Sequence, residues 1–230
     1  MSRALPSSAD LAAALGGFLP PPRFRVGLLG GSFNPAHEGH RAISRLALAK
    51  LGLDEVWWLV SPQNPLKDAN GMAPLAKRLD GARRAARHPR IRVSALETRL
   101  GTRYTADSLK ALLRRFPRVD FVWLMGADNL IQISHWQNWT SIFHLLPVAV
   151  FDRPTYSLRA LAAKSARRFA RQRFGAKRAK ALPGHKPPAW MFIHGRLNPQ
   201  SATAIRARRK EGTGSAGQGR PQPSRGAKGP

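Results

Sequence analysis

The chain of 230 residues carries 39 Lys or Arg against 12 Asp or Glu, a formal charge of +27, and has no cysteine. Disulfide frameworks and thiolate catalysis are therefore excluded, and the length suffices for one sizeable domain with extensions. No apolar run approaches the ~20 residues of a membrane span, and the first 22 residues, with only Arg3 ahead of a weak Ala/Leu stretch, lack the order of a signal peptide, so a cytoplasmic location is expected.

Residues 1–22 end in Pro20-Pro21-Pro22 and read as a flexible leader, with the fold expected from Arg23. The run Phe24 to Leu29 has the length and composition of a buried parallel strand, and it stops at Gly30 and Gly31. These glycines can take positive φ and let a ligand lie against backbone N–H groups. Pro35 then fixes the chain before a helix expected over Glu38 to Leu51, whose N-terminal turn offers unpaired N–H groups to an anion. His37 and His40 stand three apart at that end, so both rings can face one phosphate and donate to it as its charge grows. The same spacing also fits a metal site or plain surface polarity.

The apolar run Glu55 to Val60 reads as a second strand, and strand, helix, strand implies a parallel sheet. Open sheets of this kind bind ligands beyond the carboxyl ends of their strands. There the loop Ser61 to Lys67 carries two prolines, and Lys67 can reach a phosphate. A basic amphipathic helix is expected over Ala73 to His88, then a short strand Ile91 to Val93. Thr105 is a plausible helix N-cap with Asp107 and Ser108 in the first turn. A fourth strand, Val119 to Met125, runs into Gly126-Ala127-Asp128-Asn129, where Asp128 offers a carboxylate to ribose hydroxyls or amino groups. Trp136 and Trp139 follow, then a fifth strand to Phe151 and a basic, helical segment over 157–187. A last strand, Ala189 to Ile193, precedes a run in which Ser201 can cap a helix. Thr203 and Arg206 fall on one face of that helix, and together the three suit a polyphosphate.

Charge is concentrated. Arg159 to Lys186 holds ten Lys or Arg and no acidic residue, and Ala207 to Pro230 holds six against Glu211 alone, in a Gly/Ser/Pro/Gln-rich context that reads as a disordered tail over 211–230. Two or three cations would serve a polyphosphate ligand. The excess admits weak, nonspecific nucleic-acid association.

Gly30-Gly31-Ser32-Phe33-Asn34-Pro35-Ala36-His37-Glu38-Gly39-His40 resembles the signature loop of the HxGH nucleotidylyltransferase superfamily, and specifically of bacterial nicotinate-nucleotide adenylyltransferases. Gly126-Ala127-Asp128, Tyr104-Thr105, Trp136-x-x-Trp139 and Ser201-x-Thr203-x-Ile205-Arg206 resemble further segments of that family, and the likeness spans about Phe24 to Arg209. It departs where the family commonly has Asp at Asn34, His at Leu66 and Ile at Gln200.

The resemblance implies an α/β fold with a Rossmann-like, doubly wound parallel sheet over 23–210. It implies adenylyl transfer from ATP to nicotinate mononucleotide, giving deamido-NAD and pyrophosphate in NAD biosynthesis. His37 and His40 would act on the α-phosphate. Gly30, Gly31, Ser32, Phe33, Lys67, Gly126, Asp128, Ser201, Thr203 and Arg206 would complete the ATP site, with Asn34, Thr105 and Trp136 on the nicotinate nucleotide. Mg²⁺ would be held by ATP oxygens and water. Nicotinamide mononucleotide or phosphopantetheine are alternative acceptors, and a basic RNA-binding protein on the same scaffold is an alternative function. A NAD-dependent dehydrogenase is disfavoured because Phe-Asn-Pro-x-His, and not Gly-x-x-Gly, follows the two glycines.

Overall fold

Every residue of the run Glu55–Val60 is buried, which a strand allows only when both faces of its sheet are covered. The computed structural model, which describes residues 7–62, 72–153 and 156–195, bears this out. Strands β1 (Arg25–Gly31), β2 (Glu55–Val60), β3 (Ile91–Ser94), β4 (Asp120–Gly126), β5 (Val148–Phe151), β6 (Arg173–Phe174) and β7 (Trp190–Ile193) form one sheet. Their order is β3-β2-β1-β4-β5-β7-β6, and every pairing is parallel. Helices α1 (Ser8–Ala14), α2 (Glu38–Leu51), α3 (Leu75–Ala86), α4 (Leu96–Leu100), α5 (Thr105–Arg115), α6 (Ala127–Gln132), α7 (Trp139–Leu145), α8 (Ser157–Leu161) and α9 (Lys164–Arg168) flank it, with short 3₁₀ turns between.

Alternation along the strands sorts the core into two layers. Leu28, Trp57, Trp123 and Val150 face one side with Leu109, Leu112, Leu130 and Phe143 from the helices. Leu29, Trp58, Leu124 and Phe151 face the other with Ile43, Ala47, Leu48, Ala82 and Ala86. Chain order reverses between β1 and β4, so the loops leaving these two central strands open on one crevice, where such sheets take their ligands.

The leader is not loose over its described part. Ser7 and Asp10 form a reciprocal capping box that starts α1, and Leu11 and Leu15 are wholly buried in the core. Arg92 holds this segment down. Its guanidinium bonds Glu55 at 2.5 and 3.0 Å and the Leu15 carbonyl at 2.8 Å, and it lies over the Phe18 ring. Trp57 Nε1 donates to the same Glu55 carboxylate at 2.7 Å, so this buried acid is fully used.

The basic segment 157–187 is not one helix either. It breaks into α8, α9, two 3₁₀ turns and β6, which adds an edge strand to β7. Phe169 anchors it, stacked on Phe143 at 4.3 Å and accepting a 2.7 Å bond from Trp190 Nε1. Leu158 of α8 is 84% exposed.

Candidate active site

Strand β1 runs through Gly31, and neither Gly30 nor Gly31 has positive φ; the left-handed residue of this loop is Phe33, at φ 47°. Gly30 is required by packing and not by turning, since a Cβ there would collide with the Trp123 ring. Phe33 is buried, stacked on Trp58 at 5.0 Å and 4.7 Å from the His40 ring. The Asn34–Pro35 peptide is cis, and Asn34 Oδ1 accepts from the Ala73 N–H at 3.4 Å.

The two histidines cap α2 reciprocally. His37, the N-cap, accepts the Gly39 N–H at Nδ1 (3.1 Å), while His40 Nδ1 accepts the His37 N–H (3.2 Å). Ordinarily Ser or Thr with Glu fill these two roles. With both Nδ1 atoms accepting, each neutral ring must carry its proton on Nε2, so each presents an Nε2–H donor. The rings lie 4.0 Å apart. Burial, then Arg153, lowers the His37 pKa to about 4, against the opposing pull of Asp128. Burial, then His37 and Arg153, lowers that of His40 to about 3. Both are therefore neutral donors at neutral pH, which avoids placing a second buried charge beside the first.

Arg153 and Asp128 close the other side. Arg153, just past the carboxyl end of β5, has its Nε 3.4 Å from Asp128 Oδ1 in the first turn of α6. That is an ion-pair contact longer than a formed hydrogen bond, and Asp128 Oδ1 has no hydrogen-bond partner among the described residues. Gly126 makes room for this pair, since a Cβ there would meet Asp128 Oδ1 at 2.5 Å and Arg153 Nε at 3.1 Å. The glycine at 126 thus accommodates side chains of the site.

Arg78 is the residue that sequence reasoning missed most completely. It is 3% exposed, and among the described residues it meets four backbone carbonyls and no carboxylate: Ala73 at 2.9 Å, Ser32 and Ser61 at 2.7 Å, and Pro62 at 2.8 Å. One side chain thus ties the signature loop after β1 to the residues on both sides of the segment 63–71. Its only sequence signal is a charge on the inward stripe of α3, beside Leu75, Leu79 and Ala82. Arg153 carried a better signal, being the cation at a strand's carboxyl end.

Thr105 does not cap α5. Tyr104 is the N-cap, Thr105 is the first helical residue, and the Tyr104 carbonyl accepts the N–H groups of Asp107 and Ser108. Trp136 ends a 3₁₀ turn, half-buried against the core, while Trp139 packs edge-on to Phe143 and Phe169. Among the described residues no hydrogen bond, ion pair or ring contact joins Thr105 or Trp136 to the histidines. Lys67, Ser201, Thr203 and Arg206 lie outside the described residues, as does the tail over 211–230.

Comparison with known proteins agrees with this geometry. The cytidylyltransferase-like family profile matches residues 28–208. A probable nicotinate-nucleotide adenylyltransferase of Parvibaculum lavamentivorans is 54% identical over 81% of this chain and 93% of its own length. The chain belongs to the nicotinate-nucleotide adenylyltransferase family. A second family member, from a Caulobacter species, is 50% identical over 82% of this chain and all of its own. The fold is that of a Plasmodium falciparum nicotinic acid mononucleotide adenylyltransferase solved with NaAD, at TM-score 0.60 and 15% identity over 80% of this chain and 82% of that one. In this member of the nicotinate-nucleotide adenylyltransferase family the paired histidines follow the carboxyl end of β1, and the Arg153–Asp128 pair follows those of β5 and β4.

Proposed function

We propose that this chain transfers the adenylyl group of ATP to nicotinate mononucleotide, yielding deamido-NAD and pyrophosphate in the cytoplasmic synthesis of NAD. The observation that carries this reading is the reciprocal histidine cap just beyond β1, in which both Nδ1 atoms accept and each neutral ring is left with an Nε2–H donor. An oxygen of the mononucleotide phosphate attacks the α-phosphorus of ATP. The new P–O–P linkage forms as the bond from the α-phosphorus to the bridging oxygen breaks, and pyrophosphate leaves with that electron pair. No covalent enzyme intermediate is needed, so the protein's work is positioning and charge stabilisation.

His37 and His40 donate to α-phosphoryl oxygens, whose charge redistributes in the transition state. Arg153, released from its long contact with Asp128, adds a cation on the same side. Asp128 then faces the adenosine ribose, and Gly30, Gly31, Ser32, Phe33 and Gly126 form the backbone wall. Lys67 and Arg206 neutralise phosphates, with Ser201 and Thr203 on the β- and γ-phosphates. Asn34, the Thr105 backbone and the Trp136 face receive the nicotinate nucleotide. Mg²⁺ would be held by the ATP phosphates and water and would supply charge neutralisation to the leaving pyrophosphate; among the described residues no cluster of three His, Asp or Glu side chains is placed to hold the ion itself.

Pyrophosphate release from ATP and Mg²⁺ tests the proposal, with nicotinate mononucleotide, nicotinamide mononucleotide and phosphopantetheine offered separately. Release with the nicotinate nucleotide well above the other two is expected. Faster release with either alternative acceptor would reassign the substrate, and no release from folded protein would reject adenylyl transfer.

A further inference from the structure

Among the described residues the longest run of cations without an acid is 159–186, and its 176–181 end stands away from the crevice. All ten Lys or Arg between 159 and 186 are exposed, and among the described residues none is in an ion pair. Their backbone is nonetheless fixed, through wholly buried Ala160, Phe169 and Leu182. The 3₁₀ turn over Ala176–Ala181 packs against the end of α2, and a shallow groove of about 540 Å³ runs between them. Lys50, Lys177, Arg178 and Lys180 line it over a floor of alanines. At its α2 end the space beside Gly52 is bounded by the Arg25 guanidinium and the Lys180 stem. Helix α2 is capped by His37 and is 14 residues long, so this groove stands roughly 20 Å from the histidines, at the amino ends of the strands.

We infer that this groove and the basic segment continuing from it bind the phosphodiester backbone of nucleic acid, independently of the adenylyl-transfer site. A small ligand would need to be enclosed on most of its surface, and this groove is open to solvent along its length. Short alanine side chains let a chain lie close, while unpaired cations on both walls release counterions from a polyanion. The floor holds no Trp, Phe or Leu to enter a bilayer and no aromatic anchor of the kind that dominates protein interfaces.

The test uses the full chain and a labelled single-stranded oligonucleotide, with anisotropy followed between about 50 and 200 mM salt. The groove variant carries Lys50→Gln, Lys177→Gln and Lys180→Gln; Arg178 is left in place because it rests on the Phe174 ring. A matched variant removes the same charge elsewhere, with Lys77→Gln, Lys110→Gln and Arg114→Gln, all exposed. The groove variant is expected to bind at least tenfold more weakly, with the slope of log affinity against log salt reduced by ~2, the share of three single-strand phosphate contacts. The matched variant should keep most of the wild-type affinity, and both should keep wild-type pyrophosphate release. Equal losses in the two variants would show that net charge alone does the binding and would overturn the assignment. So would the absence of binding by the wild type, or displacement of the oligonucleotide by polyglutamate at equal charge, which would point to an acidic protein.

Discussion

The two ends of the sheet use charge in opposite ways. At the carboxyl end the crevice groups are buried or half-buried and each has a partner: His37 and His40 meet backbone N–H groups, Arg78 four carbonyls, and Arg153 the Asp128 carboxylate. At the amino end and along the segment 159–186 many cations stand exposed and uncommitted. Burial makes geometry decide: a buried donor has one orientation, and its removal leaves an unsatisfied partner. Exposure makes number decide, because each solvated cation adds a small, salt-screened increment. Single substitutions should therefore be severe in the crevice and almost silent in the groove.

His40→Ala gives the sharpest contrast. The chain should still fold, because the ring closes only one end of a capping box, yet turnover should fall on the order of 10²–10³, the scale for losing one transition-state donor. A loss below about tenfold in steady-state kinetics would remove His40 from the mechanism. Arg78→Ala should act on the fold as well as on rate. It withdraws donors from the carbonyls of Ser32, Ser61, Pro62 and Ala73 together, and should cost about 3 kcal/mol in chemical denaturation. Arg78→Lys keeps the charge without the fork and should recover only part of this. Full recovery by Lys would mean that charge, and not the carbonyl geometry, is what the site requires.

Trp136→Ala comes next. If the ring stacks on the electron-poor pyridine, the KM for nicotinate mononucleotide should rise up to about thirtyfold, the equivalent of ~2 kcal/mol, with the KM for ATP little changed. Parallel rises in both would mark Trp136 as packing, the role that the structure gives Trp139 through Phe143 and Phe169.

What could be read from the sequence follows from where the partners sit. The histidine pair was legible because both rings cap a helix within four residues of each other. The strand run Glu55–Val60 and the helix Glu38–Leu51 were legible because apolar periodicity alone set their limits. Arg78 was not, since its partners are backbone carbonyls up to 46 residues away, which leave no mark on composition. The leader was misjudged from its prolines although Ser7 and Asp10 carried the capping spacing, and the two leucines that bury it are few enough to pass as loop. The basic segment has Ala and Arg in helix-forming proportion, but Arg173 and Phe174 pair with the edge of β7 and interrupt it, a tertiary contact that overrides local propensity.

The smallest effect separates the two ends by pH. A histidine whose folded pKa lies near 4, against an ordinary 6.5, is protonated first in the unfolded chain. Stability is then constant above about pH 6.5 and falls as pH drops towards 4, the unfolded state binding the proton that the crevice refuses. Between about pH 7 and 5.5 one such group should cost about 1 kcal/mol. His37→Asn isolates it, because Asn is a favoured N-cap and can still accept from the Gly39 N–H. The variant should therefore unfold at nearly the wild-type denaturant midpoint at pH 7 and lose about 1 kcal/mol less on acidification. Lys177 lies at the opposite end of α2 from the histidines, so Lys177→Gln should leave the acid slope unchanged. An equal slope in His37→Asn and wild type would mean that the ring is protonated in the folded crevice, and the histidine would then meet phosphate as a cation and not as a neutral donor.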